Sequence, residues 1–402
     1  MKILQVNCVY NTGSTGKIVY DVHTELLNSG YESVVCYGRG SKTQDKYVYK
    51  TCGELYSKFN NLLTRFTGIM YGGCFFSTNK LLSIIKKEKP DIVHLHCING
   101  YFVNIYRLVS WLKNNKIKTV LTLHAEFMYT ANCGHALDCE RYKIGCGNCP
   151  KLKAETKSLF FDNTALSWKK MKKAFDGFNE NLIVTSVSSW LMGRAKDSLI
   201  LGDKEHTVVM NGLDSGIFKI QDGAKLKKKL NIKDEKIVLF VTPFFSLDES
   251  HLKGGYYVAE LAKQMPNVKF IIVGNQNKGL NLPSNVIDVG RVENQIELAK
   301  YYSLADVTIL TSKRETFSMV TAESLCCGTP VVGFKAGGPE SITITEYSSF
   351  VNYGNFDALK SGIEKFLEKE WNTQEISQKA ILKYDKSAMF KGYLKVYKNL
   401  VK

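Results

Sequence analysis

Short runs of β-branched and other apolar residues alternate along this chain with longer amphipathic stretches, and this alternation limits the possible folds more than any other feature. Helical patterns, for instance 17–29 and 255–265, lie between most of these runs. Strands separated by helices favour parallel sheets joined by right-handed crossovers. The sequence therefore predicts an α/β protein with doubly wound, Rossmann-like sheets. The predicted strands are 2–7, 33–37, 91–95, 119–124, 182–187, 206–210, 237–241, 269–273, 286–289, 307–311 and 330–334.

The chain has 402 residues, which is more than one hydrophobic core usually supports. A turn sequence, Asn211-Gly-Leu-Asp214, is followed by a polar, lysine-rich segment before the next predicted strand, so we divide the chain there. We expect an N-terminal Rossmann-like domain over 1–210, a second over 211–385, and a terminal helix over 386–402 that can cross back. Two such domains are expected to face a cleft at the carboxyl ends of their strands, where ligands of these folds bind.

The positive charge of the chain is unevenly distributed. Residues 1–200 hold 27 Lys and Arg against 15 Asp and Glu, whereas the remaining residues hold 27 against 23. A basic half suits an anionic partner such as nucleic acid, an acidic lipid surface or a lipid-diphosphate, and it suits equally a lysine-rich solvated face. The acidic content of the second half and the lack of a recognised nucleic-acid module argue against nucleic acid.

Two further features concern the cellular compartment. The sequence has no apolar run of 18 residues, and its opening is too short for a signal-peptide core, so we expect a cytoplasmic protein. Eleven cysteines, an odd number, do not indicate a disulfide framework.

The segment 55–89 mixes apolar residues with Lys and Arg. Such a stretch either rests on the anionic inner face of the membrane or forms core helices with a basic outer face.

The strongest chemical signal lies between the strands 307–311 and 330–334. A loop that carries Glu315 follows the first of these strands, and a predicted helix from Ser318 to Cys327 contains Glu323. The N-terminus of this helix opens at the carboxyl edge of the sheet, where free N–H groups and the helix dipole suit a diphosphate. The two carboxylates can accept hydrogen bonds from sugar and ribose hydroxyls, or they are simply solvated glutamates near a turn.

The motif Glu315-x7-Glu323, followed by Cys-Gly-Thr-Pro-Val-Val and Gly337-Gly-Pro-Glu340, resembles glycosyltransferase family four, the retaining enzymes of the GT-B fold. The resemblance extends over most of the chain. It implies a hexosyltransferase that moves a sugar from a nucleotide-diphosphate sugar, without a catalytic cofactor, to a glycan or lipid-linked acceptor. The loop from Cys133 to Pro150 resembles a cysteine-bearing subgroup that includes colanic-acid transferases, which implies bacterial surface-polysaccharide synthesis (O-antigen, capsule or exopolysaccharide). The further matching segments are Asn11–Gly16, the strand ending in His124, Asn211–Asp214 and Lys253–Gly254.

The same resemblance implies roles for individual residues. Glu323 would hold the donor ribose, Lys253 would neutralise the diphosphate, and Glu315 would contact hydroxyls of the transferred sugar. His124 would lie near the reacting carbon, so His124 and Glu315 are the expected catalytic residues. This chain departs from the family at Ala125, where an Asp is common, and in having no Arg shortly before Lys253. The other implied donor-binding residues are Gly13, Gly16, Arg291, Val292, Phe317, Ser318 and Met319.

Two short motifs allow more than one interpretation. Gly13 and Gly16 follow the first strand but lack the spacing of a phosphate-binding P-loop, so they either approach a ligand or form an ordinary strand-to-helix turn. Four cysteines have spacings x5, x6 and x2, which predicts a structural zinc site in a reducing compartment. Disulfides and unliganded thiols are the alternatives. These cysteines are Cys133, Cys139, Cys146 and Cys149.

Two other functions remain open at the level of sequence. A nucleotide-sugar epimerase can share the same fold, since fold alone does not decide function. A non-catalytic nucleotide-sugar-binding protein is suggested by Ala125 and by the missing Arg before Lys253.

Overall fold

The computed structural model describes residues 1–276 and 279–402. The chain divides into two compact units. The N-terminal unit comprises Met1–Met210 together with Phe390–Lys402, and the C-terminal unit comprises Asn211–Met389. Within the described ranges, no helix combines the length and apolar character that crossing a lipid bilayer requires.

The N-terminal unit contains a seven-stranded parallel sheet. Its strands are β1 (Lys2–Asn7), β2 (Glu32–Tyr37), β3 (Val48–Lys50), β4 (Ile92–Leu95), β5 (Thr119–Leu123), β6 (Leu182–Ser186) and β7 (Glu205–Val208). The spatial order is β3-β2-β1-β4-β5-β6-β7. Strands β4, β5 and β6 are buried along their whole length, as expected for a parallel sheet that helices cover on both faces.

The helices of this unit lie between the strands. They are α1 (Gly13–Asn28), α2 (Glu54–Thr67), α3 (Phe75–Glu88), α4 (Ile105–Asn114), α5 (Phe127–Thr130), α6 (Thr164–Phe175) and α7 (Ser189–Lys196). A 3₁₀ turn at Arg141–Lys143 and a π turn at Leu152–Thr156 interrupt the long connection between α5 and α6.

The C-terminal unit contains a six-stranded parallel sheet. Its strands are β8 (Ile237–Phe245), β9 (Lys269–Gln276), β10 (Val286–Gly290), β11 (Val307–Leu310), β12 (Val331–Phe334) and β13 (Ser348–Val351), in the order β10-β9-β8-β11-β12-β13. The helices are α8 (Ala224–Lys229), α9 (Gly255–Gln264), α10 (Gln295–Leu304), α11 (Met319–Cys326), α12 (Gly338–Ile342), α13 (Phe356–Glu368) and α14 (Thr373–Tyr384). Its core is formed by apolar side chains of the strands and of α9 and α13.

The last helix, α15 (Lys386–Val401), belongs to both units. It begins in the C-terminal unit, and from Phe390 onward its residues belong to the N-terminal unit. Tyr393 and Tyr397 on this helix are fully buried against the histidine rings of β4. A helix that crosses back is therefore present.

The predicted fold class, two doubly wound parallel sheets, is confirmed. Two edge strands, β3 and β13, have no counterpart among the predicted strands, because each is short and rich in partly exposed or polar residues. Strand β8 extends beyond its predicted end at residue 241, through Pro243, to Phe245. A shift in its register against β9 between Val241 and Phe244 accommodates the proline, which cannot donate a ladder hydrogen bond.

Candidate active site

The strand order reverses at β8 and β11, which lie side by side in the C-terminal sheet. The loops that follow them diverge, and this arrangement opens a crevice at the carboxyl edge of the sheet. Lys253 lies in the loop after β8, and Glu315 lies in the loop after β11. Their side chains form an ion pair, with Nζ 2.5 Å from Oε1. The structure thus brings together two residues that are 62 positions apart in sequence.

The loop that carries Lys253 is fixed by contacts of its backbone. The buried Thr311 hydroxyl lies 3.0 Å from the carbonyl oxygen of Lys253 and 2.9 Å from that of Gly254. Gly254 has φ +66°, and a Cβ atom there would lie 2.3 Å from the Thr311 carbonyl oxygen, so only glycine fits. Helix α9 begins at the next residue. Its free N–H groups therefore open beside the lysine, as in an anion-binding site.

The Glu315 loop is held by the glycine pair that follows β12. Glu315 donates its N–H to the Ala336 carbonyl at 3.0 Å and accepts from the N–H of Gly338 at 2.8 Å. The Glu340 carboxylate in turn accepts from the N–H groups of Ala336 and Gly337, at 3.0 and 2.8 Å. The Gly337–Glu340 motif therefore acts by positioning the loop that carries Glu315.

Gly338→Ala should disturb this loop. A Cβ atom at Gly338 would lie 2.4 Å from the carbonyl carbon of Thr316 and 2.5 Å from the nitrogen of Phe317, so backbone must shift. We expect a loss of about 1–3 kcal/mol in the free energy of unfolding of this unit, measured by denaturation, together with weaker donor binding. Gly193→Ala is the control, because a Cβ atom at Gly193 has no neighbour within 4 Å. Equal stability of the two variants would contradict this assignment.

Helix α11 begins in a strained conformation. Ser318, its N-cap, has φ +79°, which is unusual for a residue other than glycine and typical of functional sites. Its hydroxyl oxygen accepts hydrogen bonds from the N–H and the hydroxyl of Thr321, at 3.2 and 2.9 Å. Phe317 is buried, whereas Met319 is partly exposed. Phe317 can therefore offer only its backbone to a ligand.

Glu323 lies on α11 and is oriented by a residue that the sequence analysis missed. The Tyr302 hydroxyl donates to Glu323 Oε2 at 2.8 Å. Burial, reinforced by the neighbouring Glu323 carboxylate, raises the pKa of Tyr302 well above its usual value, so the phenol remains a donor. Tyr302 lies on α10, 21 residues from Glu323, and no local sequence signal connects the two.

Arg291 and Val292 line a pocket of about 420 Å³ at the carboxyl ends of β8 and β9. Val320, on the helix that carries Glu323, lines the same pocket. The backbones of β8 and β9 approach closely beside this pocket, because a Cβ atom at Gly274 would lie 2.1 Å from the Thr242 carbonyl oxygen. A pocket with apolar walls and a few backbone polar groups suits a flat heterocyclic base.

In the N-terminal unit, His124 follows β5 and is the end of a row of three histidines. Its Nε2 lies 3.3 Å from Nδ1 of His96, whose Nε2 lies 3.2 Å from Oε1 of Gln5. The rings of His96 and His94 are 3.8 Å apart between centroids, and His94 contacts the Tyr397 hydroxyl at 2.7 Å. Burial lowers the pKa of His124 to about 4. It also lowers the pKa of His94 and His96 well below the usual range, so all three are neutral at pH 7.

The sequence analysis did not single out His94 and His96. The available signal was their spacing, with one residue between them: His94 lies in β4, His96 directly follows it, and residues spaced by two lie on one face of extended chain. The departure at Ala125 is not compensated by Glu126. That carboxylate is fully buried and is held by Arg194 Nε at 2.5 Å and by the Tyr129 hydroxyl at 2.7 Å.

Gly13 and Gly16 lie at the start of α1. Gly13 has φ +63°, and the space around a Cβ atom there is open. Gly16 is buried, its carbonyl accepts from the N–H of Asn11 at 3.0 Å, and a Cβ atom there would lie 3.1 Å from a Val9 methyl group. Gly16 thus allows the turn to pack on the helix, and ligand contact by either glycine remains a prediction.

A structural zinc at the four cysteines remains a prediction. Within residues 1–276 and 279–402, no group of three or more His, Cys, Asp or Glu side chains is placed to hold a metal ion. All four cysteines, Cys133, Cys139, Cys146 and Cys149, are free thiols. The Cys146 thiol contacts the Thr130 carbonyl at 3.5 Å, and burial raises the pKa of Cys133 and of Cys146 to about 12.

A family model matches part of the chain. Residues 222–383, which include the crevice just described, match the family model described as glycosyl transferases group 1. This match supports the family resemblance inferred from Glu315, Glu323 and their surroundings. The finer resemblance to the cysteine-bearing subgroup remains a prediction.

Two individual proteins are also similar to parts of this chain. The chain is 24% identical over 277 residues to N-acetyl-alpha-D-glucosaminyl L-malate synthase of Bacillus anthracis, covering 66% of this chain and 62% of that protein. It is 32% identical over 149 residues to a D-inositol 3-phosphate glycosyltransferase of Thermobispora bispora, covering 33% of this chain and 35% of that protein. The matched region therefore spans less than two thirds of the length of either relative.

The solved structure of the Anabaena protein Alr3699/HepE in complex with UDP-glucose has the same fold. The TM-score is 0.66 with 16% sequence identity, and the superposition covers 99% of this chain and 100% of that one. At this identity the likeness establishes the fold alone. Two Rossmann-like α/β domains, the GT-B fold, are therefore the architecture of this chain.

Proposed function

We propose that this chain is a retaining glycosyltransferase that moves a hexose from a nucleotide-diphosphate sugar to an acceptor hydroxyl. The observation that carries the proposal is the Lys253–Glu315 ion pair at the reversal of strand order, inside the segment that matches the group 1 glycosyl transferases. A cation, a carboxylate and two helix N-termini at one sheet edge are suited to a sugar diphosphate. The bound UDP-glucose of the Anabaena structure supports the same donor class.

Each part of the crevice has a role in this proposal. Lys253 and the N–H groups that begin α9 and α11 stabilise negative charge on the departing diphosphate. Glu315 accepts hydrogen bonds from sugar hydroxyls, and Glu323, oriented by Tyr302, accepts from the ribose. The base occupies the pocket lined by Arg291 and Val292.

The reaction is written without a covalent enzyme intermediate. The acceptor oxygen bonds to the anomeric carbon on the face from which the diphosphate leaves, the bond from that carbon to the phosphate oxygen breaks, and the acceptor proton passes to the departing phosphate. His124 is proposed to contact the transferred sugar. As a neutral imidazole at pH 7, it can accept or donate a hydrogen bond without adding charge.

For the acceptor, we propose a glycan or lipid-linked saccharide of bacterial surface-polysaccharide synthesis, at the cytoplasmic face of the membrane. The basic excess of residues 1–200 supports an anionic acceptor such as a lipid diphosphate. A small anionic acceptor is the second candidate, because the names of both relatives include one, L-malate and D-inositol 3-phosphate.

A donor panel with mass detection tests the proposed function. UDP-, GDP- and ADP-sugars are each incubated with a synthetic lipid-diphosphate sugar, L-malate or inositol phosphate. We expect a product whose mass increases by one hexose-type unit, with the anomeric configuration of the donor. Epimerised sugar formed without any acceptor would instead identify an epimerase, and donor binding without turnover would identify a non-catalytic binding protein.

The donor site makes a separate prediction for Glu323→Ala. Loss of a charged hydrogen bond to ribose should weaken donor binding roughly tenfold or more, measured by calorimetric titration of the nucleotide sugar. Tyr302→Phe, which only releases the carboxylate, should have a smaller effect in the same direction. Glu364→Ala is the control, since Glu364 lies on α13 with a partly exposed side chain and forms an ion pair with Lys360 at 2.9 Å. Unchanged affinity in Glu323→Ala, with the fold intact, would refute this placement of the ribose.

A further inference from the structure

Helix α2 has its polar side inward and its apolar side outward, the reverse of a normal surface helix. Leu55, Phe59, Leu62, Leu63 and Phe66 follow the spacing of one helical face, and all five are exposed, between 42% and 82%. Of the two alternatives for the segment 55–89, core helices with a basic outer face do not describe α2.

Hydrogen bonds of the inward side fix this orientation. The buried residues of α2 are Ser57, Asn60 and Thr64. The Ser57 hydroxyl donates to the Gly100 carbonyl at 3.0 Å, and Asn60 Oδ1 accepts from the N–H of Cys74 at 2.7 Å. Rotating α2 to bury its apolar side would break these bonds and leave buried polar groups unsatisfied. The outward apolar side is therefore a stable feature of the fold.

Aromatic residues from two other segments extend this exposed side. Phe66 stacks on Phe160 with ring centroids 5.6 Å apart, and Phe161 follows Phe160 directly. At the other end, the N–H of Phe76 donates to the hydroxyl of Tyr56 on α2 at 3.2 Å. Phe76, Phe160 and Phe161 are 72%, 65% and 59% exposed. We call the outward side of α2 together with residues 75–76 and 159–161 the apolar face.

Exposure of large apolar side chains is concentrated here. Of the 19 such exposed side chains in the described residues, eleven lie in 55–76 and 159–166, and the others are scattered over the rest of the chain. Single exposed apolar residues are normal, whereas a contiguous group of this kind marks an interaction surface.

Most charged residues in the segments that form the apolar face are basic. The segments 54–76 and 157–170 contain five basic residues and two acidic residues, Asp162 and Glu54, of which Glu54 forms ion pairs with Arg39 and Lys50. Asp162 is already engaged, because its carboxylate accepts from the N–H of Cys149 at 2.5 Å and of Thr164 at 3.0 Å. Like charges disfavour pairing of this face with a second copy of itself. An anionic surface is the complementary partner. The basic residues are Lys58, Arg65, Lys157, Lys169 and Lys170.

We propose that the apolar face is the surface by which this protein rests on an anionic lipid bilayer, with α2 lying in the plane of the interface. An exposed apolar helical stripe with flanking cations and phenylalanines is the typical form of an interfacial helix. The inference deepens the proposed function, because a lipid-linked acceptor lies in the same membrane. The proposed partner of the apolar face is the lipid bilayer itself, whichever acceptor the enzyme uses.

Vesicle co-sedimentation tests this proposal on the full chain. Wild-type protein should bind phosphatidylcholine vesicles that contain phosphatidylglycerol, bind pure phosphatidylcholine less, and be released by raised salt. Phe76→Ser with Phe160→Ser should weaken partitioning roughly 10- to 100-fold on both lipids. Lys58→Glu with Arg65→Glu should weaken it roughly tenfold or more on anionic vesicles only. The control pair is Ile296→Ser with Leu382→Ser, at exposed apolar positions of the C-terminal unit.

Three outcomes would overturn the proposal. The first is equal loss of binding in the control pair, and the second is no binding of wild-type protein to anionic vesicles. The third is a dimer, seen by light scattering, that Phe76→Ser with Phe160→Ser dissociates while vesicle binding is absent, because the face would then serve self-association. Donor titration on the same samples separates this proposal from the function. Donor binding without vesicle binding refutes only the membrane surface. Vesicle binding without donor binding refutes only the donor site.

Discussion

Lys253→Ala is expected to reduce the rate of sugar transfer about 10²- to 10³-fold, the usual effect of removing one group that stabilises charge developing on a leaving group. The lysine is held at the sheet edge by Thr311 and by the left-handed Gly254, and its ammonium group faces the Glu315 carboxylate. Its ammonium group therefore needs little rearrangement to meet a diphosphate. We expect most of the loss in kcat, because negative charge on the diphosphate increases toward the transition state.

The controls separate charge from packing. Lys263→Ala removes an exposed lysine of α9 that pairs with Glu260, and it should leave the rate unchanged. Glu315→Gln removes the charge that Lys253 faces, and the double variant shows whether the two residues act as a unit. Losses that simply add would contradict a shared role. A Lys253→Ala enzyme with normal kcat/KM on the cognate donor would remove the leaving-group assignment altogether.

The residues of the crevice that the sequence predicted lie on or beside elements whose pattern is local. Lys253 shortly precedes α9, Glu315 lies in the loop between β11 and α11, and Glu323 lies within α11, so the carboxyl edge of the sheet could be located from the sequence. Their supporting residues could not. Thr311 acts on a loop 58 positions away and Tyr302 on a helix 21 positions away, and only the folded sheet brings them together.

One further difference has a physical cause of the same kind. The periodicity of α2 locates an apolar stripe, but it cannot show which side faces the core, because that depends on hydrogen bonds from Ser57 and Asn60 to other segments. Long-range polar contacts thus decide what this local pattern leaves open.

The histidine row should make the N-terminal unit sensitive to mild acid. Unfolded histidines have pKa values near 6.5, whereas burial lowers the pKa of His124 to about 4 and that of His94 and His96 well below the usual range. Below pH 6.5 the unfolded state therefore binds protons that the folded state does not, so stability is greatest above pH 6.5 and falls with pH. Each histidine contributes a slope of up to about 1.4 kcal/mol per pH unit, and the three together up to about 4.

Hydrogen exchange of the amides in β4 and β5, corrected for intrinsic rates, measures this slope between pH 7 and pH 5. His23 and His206, whose pKa values burial also lowers, add to the slope in the same direction. Carboxylates add little in this window, because their unfolded pKa values lie near 4. His124→Gln is the discriminating variant, since it removes one titrating ring at the partly exposed end of the row and should reduce the slope by about 1 kcal/mol per pH unit. An opening free energy that does not change from pH 7 to pH 5 would mean that the histidines take up protons as readily in the folded protein as in the unfolded chain, and would contradict this prediction.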